Sequence, residues 1–154
     1  MFKIFIDGQN GTTGLQIKDR LTERDDMELI ELSDAERKTD AAKKAALGAA
    51  DVAILCLPDD AARQTAQLAT KTRLIDASTA HRTHPDWTYG LPELCPEQRR
   101  KIQTAERVSN PGCYPTGFIL LIRPLIALGL LKPDHAIFVS ALSGYSGGGK
   151  AMIK

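Results

Sequence analysis

The sequence has few of the features that mark a secreted, metal-binding, nucleic-acid-binding or membrane protein. Three cysteines at wide, irregular spacing among 154 residues make neither a disulfide framework nor a zinc site, so we predict no bound metal and a reducing, cytoplasmic setting. Twenty lysines and arginines against nineteen aspartates and glutamates leave no charge footprint for nucleic acid or a membrane surface. The longest apolar run, residues 118–131, is interrupted by Arg123, Pro124 and Gly129 and is too short to span a bilayer. Residues 1–3 lead directly into a strand-like segment, so we expect no secretory signal.

The sequence does contain a regular alternation of strand and helix patterns. Apolar strands are predicted at residues 3–7, 28–32, 51–57, 73–77 and 107–109, and helices at residues 14–21, 40–47 and 61–69. We expect Asp40 to cap the second helix and Asp59 or Asp60 to cap the third. The third strand is almost continuously apolar, as parallel strands covered on both faces are. This order predicts an α/β fold with a doubly wound parallel sheet.

The later segments depart from this alternation. Residues 79–95 predict an ordered but irregular loop of the kind that often carries function. Residues 136–141 predict one more strand, and a glycine-rich stretch follows at residues 143–150. Because the sequence stops four residues later with no terminating element, we expect a complete domain at residues 1–112 and the truncated beginning of a second at residues 113–154.

A glycine-rich turn joins the first strand to the first helix. Its spacing is G-x-x-G-x-x-G rather than the standard G-x-G-x-x-G, but strand, turn and helix follow one another as dinucleotide binding requires. Glycines allow the backbone to approach a pyrophosphate, which lies on the helix N-terminus. We therefore predict a Rossmann-like NAD(P)-binding domain, and a plain glycine turn is the alternative. The predicted cofactor contacts here are Gly8, Asn10, Gly11, Thr12, Thr13 and Gly14.

The end of the second strand decides which dinucleotide is preferred. An acidic residue there binds the ribose hydroxyls of NAD, whereas a nearby cation suits the 2′-phosphate of NADP. The key position falls on Ser33, with Arg37 and Lys38 just beyond it, and Asp34 comes one residue late. These residues favour NADP(H), although a solvated helix face would carry the same charges.

Cys113 lies just after a Pro-Gly turn and just before the apolar run that predicts a helix. Unpaired N–H groups and the helix dipole favour its thiolate form, and the same helix start suits a phosphate leaving group or an oxyanion. We therefore predict that Cys113 is a nucleophile that attacks an acyl carbon. A small buried hydrophobe is the alternative, and it is our interpretation of Cys56 and Cys95. A phosphatase loop is excluded because it needs Cys-x5-Arg, and Ile119 occupies the arginine position.

Residues 144–150 match the G-x-x-x-x-G-K spacing of a P-loop. Ala151 stands where a serine or threonine would bind magnesium, so we predict instead a glycine-rich turn that offers N–H groups to an anion beside the cysteine. A flexible connection between domains is the alternative. His81, His84 and His135 are candidates for a general base, but none has a spacing that indicates a catalytic role.

Six segments of the sequence occur, in the same order, in one known family. They are Gly8 to Gly14; residues 50–58, which end in Leu57-Pro58; Leu74-Ile75-Asp76-Ala77-Ser78 with Arg82; Tyr89-Gly90-Leu91-Pro92-Glu93-Leu94; Ser109-Asn110-Pro111-Gly112-Cys113-Tyr114-Pro115-Thr116; and Ser143-Gly144-Tyr145-Ser146-Gly147-Gly148-Gly149-Lys150. Together they resemble N-acetyl-gamma-glutamyl-phosphate reductases, and the first glycine turn is closer to the shorter subtype. The resemblance runs along the whole chain but covers only about the first half of a family member.

The resemblance implies both an architecture and a reaction. A Rossmann-like domain would be followed by the start of an α+β catalytic and dimerisation domain of the glyceraldehyde-3-phosphate-dehydrogenase-like type, in a homo-oligomer when the protein is full length. Cys113 would displace phosphate from N-acetyl-gamma-glutamyl phosphate, and NADPH would reduce the thioester to the semialdehyde used in arginine biosynthesis. Pro58 and Ser78 would contact the cofactor. Asn110, Ser143, Gly144 and Gly147 would form the substrate or anion loop.

The resemblance also limits what this chain does alone. The acid/base histidine of the family would lie beyond Lys154, so none of the three histidines here inherits its role, and we expect the 154-residue piece to be inactive by itself. Two alternatives stay open. An aspartate-semialdehyde dehydrogenase would share the fold, the cysteine and the cofactor, and a non-catalytic dinucleotide-binding module would bind cofactor without a reactive thiol.

Overall fold

The fold is a six-stranded, entirely parallel sheet with helices packed against it. The computed structural model describes residues 1–142 and 144. The strands are β1 (Phe2–Asp7), β2 (Met27–Ile30), β3 (Val52–Leu55), β4 (Arg73–Asp76), β5 (Thr88–Tyr89) and β6 (Arg107–Ser109). The helices are α1 (Thr12–Thr22), α2 (Asp40–Ala49), α3 (Asp59–Leu68), α4 (Gln98–Thr104) and α5 (Cys113–Ala127). The predicted α/β class and parallel sheet are confirmed.

The strand order is β2-β1-β3-β4-β6-β5. The chain therefore moves outward from β1 to β2 and then crosses back over to β3 on the other side of β1. This reversal creates a crevice beyond the carboxyl ends of β1 and β3, which is where parallel α/β sheets bind their ligands. The strand order thus places the glycine turn, which follows β1, at the crevice.

The main core lies between the sheet and the α2–α3 layer. Phe5, Leu55 and Leu74 from three neighbouring strands pack with Leu47 of α2 and with Trp87, and all five are buried. Alternate residues along a strand point to opposite faces, which explains why residues 53 and 55 are sealed while residues 52 and 54 are half-buried. The third strand is therefore sealed on one face and only half-buried on the other, although its apolar sequence predicts burial on both.

Several local predictions need correction. Thr39, rather than Asp40, caps α2, because its hydroxyl accepts from the backbone N–H of Ala42 at 3.4 Å. Pro58 occupies the N-cap position of α3, and the Asp59 carboxylate instead accepts a hydrogen bond from the backbone N–H of Thr79. The second strand ends at residue 30 rather than 32. The short strand β5 lies inside the segment that predicted only an irregular loop, and α4 was not predicted.

The strand predicted at residues 136–141 is wrong, because these residues form no regular structure. A strand exists only where a neighbour accepts and donates its backbone hydrogen bonds. No described strand lies beside this segment, and Phe138 and Leu142 are 92% and 99% exposed. Among the helices of residues 1–142, none is long and apolar enough to cross a lipid bilayer.

Candidate active site

The carboxyl ends of four strands meet at one edge of the sheet. Asp7 of β1 is level with Leu55 of β3, Leu55 with Asp76 of β4, and Asp76 with Ser109 of β6. The glycine turn and the segment that leads to Cys113 therefore leave the same edge, three strand spacings or roughly 14 Å apart. An extended ligand bound on the turn can reach across β3 and β4 toward the cysteine.

The glycine turn is packed too tightly to tolerate side chains at two of its positions. Gly8 has φ +91°, and a Cβ there would lie 2.2 Å from the carbonyl oxygen of Cys56. A Cβ on Gly14, in the first turn of α1, would lie 2.2 Å from the carbonyl oxygen of Gly8. The N–H of Gly11 donates to that same Gly8 oxygen at 3.0 Å and closes the turn. The sequence thus specifies glycine where the backbone folds onto itself.

A cleft of about 290 Å³ opens between this turn and the end of β3. It is lined by Gly11, Thr12, Thr13, Cys56, Leu57, Pro58 and Ala77. No side chain of the described residues caps α1, so its first N–H groups stay available for an anion. The bare backbone, the uncapped helix start and the position at the strand-order reversal all fit the pyrophosphate of a dinucleotide. The predicted contacts Gly11, Thr12, Thr13 and Pro58 line this cleft, whereas Asn10 is exposed at the tip of the turn.

A buried ion pair supports the turn from below. The carboxylate of Asp7, the last residue of β1, lies 3.0 Å from the Lys43 ammonium of α2 and accepts a hydrogen bond from the Thr65 hydroxyl of α3 at 2.9 Å. Asp7 and Thr65 are buried, and Lys43 is mostly so. This network ties β1 to both helices immediately before Gly8, and no local sequence pattern predicted it.

The predicted cofactor-selecting residues lie beyond β2. The Ser33 hydroxyl donates to the Glu36 carboxylate at 2.6 Å, and the Ser33 N–H donates to the same oxygen at 2.9 Å. These two hydrogen bonds hold the pKa of Glu36 below its ordinary value. Arg37 pairs with Asp34 and lines a small cavity together with Gly8. Lys38 is exposed.

The loop after β4 contains a buried polar network. The Asp76 carboxylate accepts from the Ser78 hydroxyl at 2.7 Å and contacts Nδ1 of His81 at 2.6 Å. The His81 ring stacks on Trp87 with 4.0 Å between centroids. The Ser78 hydroxyl, which the resemblance assigns to the cofactor, is therefore engaged within the chain. His84 is exposed, and His81 serves to hold the loop in place.

Cys113 is exposed and is the first residue of α5, as the sequence predicts. Gly112 precedes it in the N-cap position, and no side chain of the described residues caps this helix start. The Arg82 guanidinium donates to the carbonyl oxygens of Asn110 at 3.3 Å and Ala77 at 3.5 Å. A Cβ on Gly112 would lie 2.5 Å from Nη1 of Arg82. The Arg82 guanidinium thus lies between the cleft at the glycine turn, which Ala77 lines, and the turn that presents the Cys113 sulfur.

The other two cysteines have different surroundings. Burial, followed by the nearby carboxylates of Asp76 and Asp7, raises the pKa of Cys56 to about 11. Cys95 is half-buried, and its thiol contacts the side-chain oxygen of Gln98. Of the three thiols, that of Cys113 is the exposed one.

The structure describes only some of the residues that are predicted to form the substrate or anion loop. Asn110 is exposed, and its backbone N–H donates to the carbonyl oxygen of Asp76 at 2.7 Å. Gly144 and Cys113 both line a cleft of about 730 Å³ whose other walls are mostly apolar. Ser143 and Gly147 lie outside the described residues. Within the part of the chain that the structure describes, no group of three or more His, Cys, Asp or Glu side chains is arranged to hold a metal ion.

Fold and site together define a dinucleotide-binding domain with an exposed cysteine at the edge of its crevice. Residues 3–102 match the family model for the semialdehyde dehydrogenase NAD-binding domain, and residues 113–154 match the semialdehyde dehydrogenase dimerisation domain. The chain therefore belongs to the semialdehyde dehydrogenase family. A nicotinamide dinucleotide is accordingly its cofactor class.

Curated relatives confirm the resemblance found in the sequence. The N-acetyl-gamma-glutamyl-phosphate reductase of Brucella anthropi is 57% identical over 98% of this chain, and that of Brucella ovis is 56% identical over the same share. The chain spans 50% of the length of each.

Solved structures show a similar fold. Aspartate semialdehyde dehydrogenase from Francisella tularensis matches 99% of this chain and 47% of its own, with a TM-score of 0.69 at 20% identity. Aspartate semialdehyde dehydrogenase II from Vibrio cholerae matches 99% of this chain and 49% of its own, with a TM-score of 0.68 at 18% identity. At such low identity the likeness concerns the fold alone.

Proposed function

We propose that the full-length protein catalyses the NADPH-dependent reductive dephosphorylation of N-acetyl-gamma-glutamyl phosphate to N-acetylglutamate 5-semialdehyde, a step in arginine biosynthesis. The observation that carries the proposal is the exposed Cys113 thiol, at an uncapped helix start on the same sheet edge as the glycine turn. The curated relatives bearing that name, at 56–57% identity, support the choice of substrate.

Cys113 is the nucleophile that forms the covalent intermediate. The Cys113 thiolate forms a C–S bond to the gamma-acyl carbon as the bond from that carbon to the phosphate oxygen breaks, and phosphate leaves. The first N–H groups of α5 stabilise the oxyanion that develops on the acyl oxygen. A dinucleotide held by the glycine turn would supply the hydride that reduces the thioester carbon, with NADPH oxidised to NADP⁺. The C–S bond then breaks, which releases the aldehyde and restores the thiolate.

The other residues position the reactants. Arg82 contacts the turn before Cys113, and in this proposal its guanidinium binds the departing phosphate. The glycine turn and the start of α1 hold the pyrophosphate, with Pro58 and Ser78 beside the rest of the cofactor and Ser33, Arg37 and Lys38 at the 2′-phosphate. Asn110, Ser143, Gly144 and Gly147 form the anion loop in this proposal.

The proposal includes the arrangement of the whole protein. Residues 1–112 form the nucleotide domain and residues 113–154 begin a catalytic and dimerisation domain, in a cytoplasmic homo-oligomer. The match of residues 113–154 to a dimerisation-domain model supports the oligomer. In this proposal the acid/base histidine is the one that the family resemblance implies beyond Lys154, and none of His81, His84 and His135 takes its role.

Incubation of the full-length enzyme with the acyl phosphate, without NADPH, tests the chemistry. We expect mass spectrometry to show an acyl adduct on Cys113, and we expect Cys113→Ser to lower turnover by about 10³-fold or more. Cys95→Ser is the matched control and keeps both adduct and turnover. Turnover that survives Cys113→Ser excludes the thioester route. Dinucleotide binding without any adduct favours a non-catalytic module.

Substrate comparison separates the proposal from its nearest rival. Aspartate-semialdehyde dehydrogenase activity would use the same cysteine and cofactor on aspartyl phosphate. We expect kcat/KM for N-acetyl-gamma-glutamyl phosphate to exceed that for aspartyl phosphate by about 10³-fold or more, because the two acyl groups differ in length and in charge. The reverse preference would transfer the proposal to the rival.

A further inference from the structure

A further cleft, of about 410 Å³, lies between α3 and the loop that follows β4. Its walls include Arg63 of α3, His81 and Trp87 of the loop, and Arg107 of β6. None of the residues that line it also lines the cleft at the glycine turn or the cleft at Cys113. Its volume lies within the range of small-molecule sites. The cleft is therefore a candidate binding site that the proposed reaction does not use.

His81 offers one ring nitrogen to a ligand in this cleft. The Asp76 carboxylate accepts hydrogen bonds from the N–H and the hydroxyl of Ser78, and it accepts a third from Nδ1 of His81 at 2.6 Å. No contact among the described residues involves Nε2 of His81. Because every fully buried side-chain nitrogen and oxygen of the described residues has a partner, Nε2 is open to solvent, although His81 is only 6% exposed. A polar atom of a nearly buried side chain thus stays free in the cleft.

Arg107 brings fixed hydrogen-bond donors to the same cleft. Its guanidinium donates to the carbonyl oxygens of Ala66 at 3.3 Å and Ala69 at 3.5 Å, and it lies 5.6 Å from the centroid of the Trp87 ring. These hydrogen bonds use two of the five N–H donors of the guanidinium, and the others bond no described residue. The Trp87 ring also stacks on His81. The guanidinium and the histidine ring are therefore held by one aromatic side chain.

Arg63 adds a second cation. Its guanidinium pairs with Asp60 at 2.9 Å, but both side chains are exposed, and an exposed ion pair contributes little that a ligand would have to replace. Asp86 is the one acidic residue among those that line the cleft, and its side chain is mostly exposed. Two arginines against one aspartate make the cleft cationic, so it favours an anion.

We propose that this cleft binds a phosphate group, carried by a small phosphomonoester or present as free phosphate. A phosphate offers three oxygens, and the guanidinium groups of Arg63 and Arg107 approach it from two different elements, α3 and β6. Nε2 of His81, on the loop after β4, meets the third oxygen, whose proton exchanges near neutral pH. A carboxylate has two oxygens in one plane and would leave one of these groups without a partner. The inference does not depend on the proposed function.

Calorimetric titration of the full-length protein with glycerol 3-phosphate, and separately with inorganic phosphate, tests the site. We expect saturable binding of at least one probe with a Kd of about 1 mM or below, and Arg63→Met should raise that Kd by about tenfold. This variant should fold normally, because Arg63 is exposed and its one described hydrogen bond is to Asp60. Arg20→Met is the matched control: it removes an exposed arginine of α1 that does not line the cleft, and it should leave the Kd unchanged.

Two measurements separate this cleft from the turn before Cys113. The proposed function has Arg82 bind phosphate at that turn, so Arg82→Met should weaken binding there and leave binding in this cleft unchanged. Nitrogen-15 spectra of the histidine rings give the location directly. The bound probe should shift the Nε2 signal of His81, which is assigned by its loss in His81→Asn. The signals of His135, which is exposed and does not line the cleft, should stay unchanged.

The two probes also distinguish the source of the phosphate group. Tighter binding of glycerol 3-phosphate assigns the cleft to a phosphomonoester, and equal or tighter binding of inorganic phosphate assigns it to free phosphate. The inference is overturned if neither probe binds below about 10 mM, or if Arg63→Met and Arg20→Met give the same Kd. Loss of binding in Arg82→Met also overturns it, because the phosphate then lies at the Cys113 turn. None of these results changes the test of the proposed function, which is the acyl adduct on Cys113.

Discussion

The two parts of the described chain differ in how they use their apolar residues. The nucleotide region, residues 1–112, encloses Leu47, Leu55 and Leu74 almost completely. The cysteine region, residues 113–142, contains a 15-residue helix in which no residue is buried, and Leu121 is 73% exposed. The same residue types that form a core in the first region lie at the surface in the second.

The difference shows which parts of the site the described chain holds in place by itself. The start of α5 is attached to the nucleotide region by Arg82 against Gly112, and its middle by Arg123, whose Nε donates to the carbonyl oxygen of Leu94 at 3.0 Å. Between and beyond these contacts α5 exposes the apolar side chains of Phe118, Leu121 and Leu125, and clustered exposed apolar side chains mark a contact surface on proteins in water. Contacts within the described chain therefore hold Cys113 in place, whereas most of the apolar side chains of the helix that follows lack such contacts.

Substitution of one helical glycine in each region should give the largest difference between the two regions in the free energy of unfolding. Gly14 lies in α1, where a Cβ would be 2.2 Å from the Gly8 oxygen, so Gly14→Ala should lower the free energy of unfolding by about 3 kcal/mol. Gly117 lies in α5 with no described atom within 4 Å of its Cβ position. Gly117→Ala should leave stability unchanged or raise it by up to about 1 kcal/mol, since alanine is the better helix former.

Urea unfolding of the 154-residue chain, followed by far-UV circular dichroism, measures both variants. Equal stabilities for Gly14→Ala and Gly117→Ala would show that the backbone of the glycine turn shifts easily to accommodate a Cβ. The turn would then not be a rigid binding site for a pyrophosphate. Gly48→Ala is the control, because Gly48 is helical, exposed and without neighbours among the described residues.

Local patterns predicted the two ends of the site. The glycine turn followed from the order of strand, turn and helix, and the position of Cys113 at a helix start followed from a Pro-Gly turn ahead of an apolar run. Both depend on residues that are adjacent in sequence. The Ser33–Glu36 capping box has an equally local S-x-x-E signature, which could have revealed it before the structure was known.

Contacts between distant residues could not be predicted in this way. Thr65 hydrogen-bonds Asp7 across 58 positions, and no spacing rule connects them. Arg82 reaches Asn110 across 28 positions through the loop that follows β4. The strand expected at residues 136–141 failed for the same reason, since a strand depends on a partner that its own sequence does not specify.

Replacement of one cationic side chain in each region should give a difference in stability of intermediate size. Lys43 neutralises the buried Asp7 carboxylate, so Lys43→Met leaves a nearly buried charge and should cost about 3 kcal/mol. Arg123 donates one hydrogen bond from an exposed position, so Arg123→Met should cost less than about 1 kcal/mol. Urea midpoints and m-values of the 154-residue chain provide the comparison.

A double variant checks the cause of the larger loss. Asp7→Asn combined with Lys43→Met removes the unpaired charge and should recover part of the stability lost in Lys43→Met alone. If the double variant is less stable than the wild type by the full sum of the losses measured for Asp7→Asn and Lys43→Met alone, the two side chains are not coupled. The buried network would then be a matter of packing alone.

Cys56 and Cys113 should give the smallest contrast, a difference in stability that appears only at alkaline pH. Burial raises the pKa of Cys56 from 9.0 to about 11, so the unfolded chain releases this proton near pH 9 while the folded chain holds it to about pH 11. Its contribution to stability is therefore constant below pH 9 and is lost as the pH rises from 9 to 11. Because the thiol is partly solvated, we expect a loss of about 1 kcal/mol.

This loss is measured by comparing the stability of the wild type and of Cys56→Ser between pH 9 and pH 11. The Cys56→Ser variant should lack this part of the alkaline decline in stability. Cys113→Ser, which alters an exposed thiol, should retain it. Identical alkaline slopes for wild type and Cys56→Ser would show that Cys56 is as well solvated as Cys113, and the nucleotide region would then be more open at the end of β3 than its packing implies.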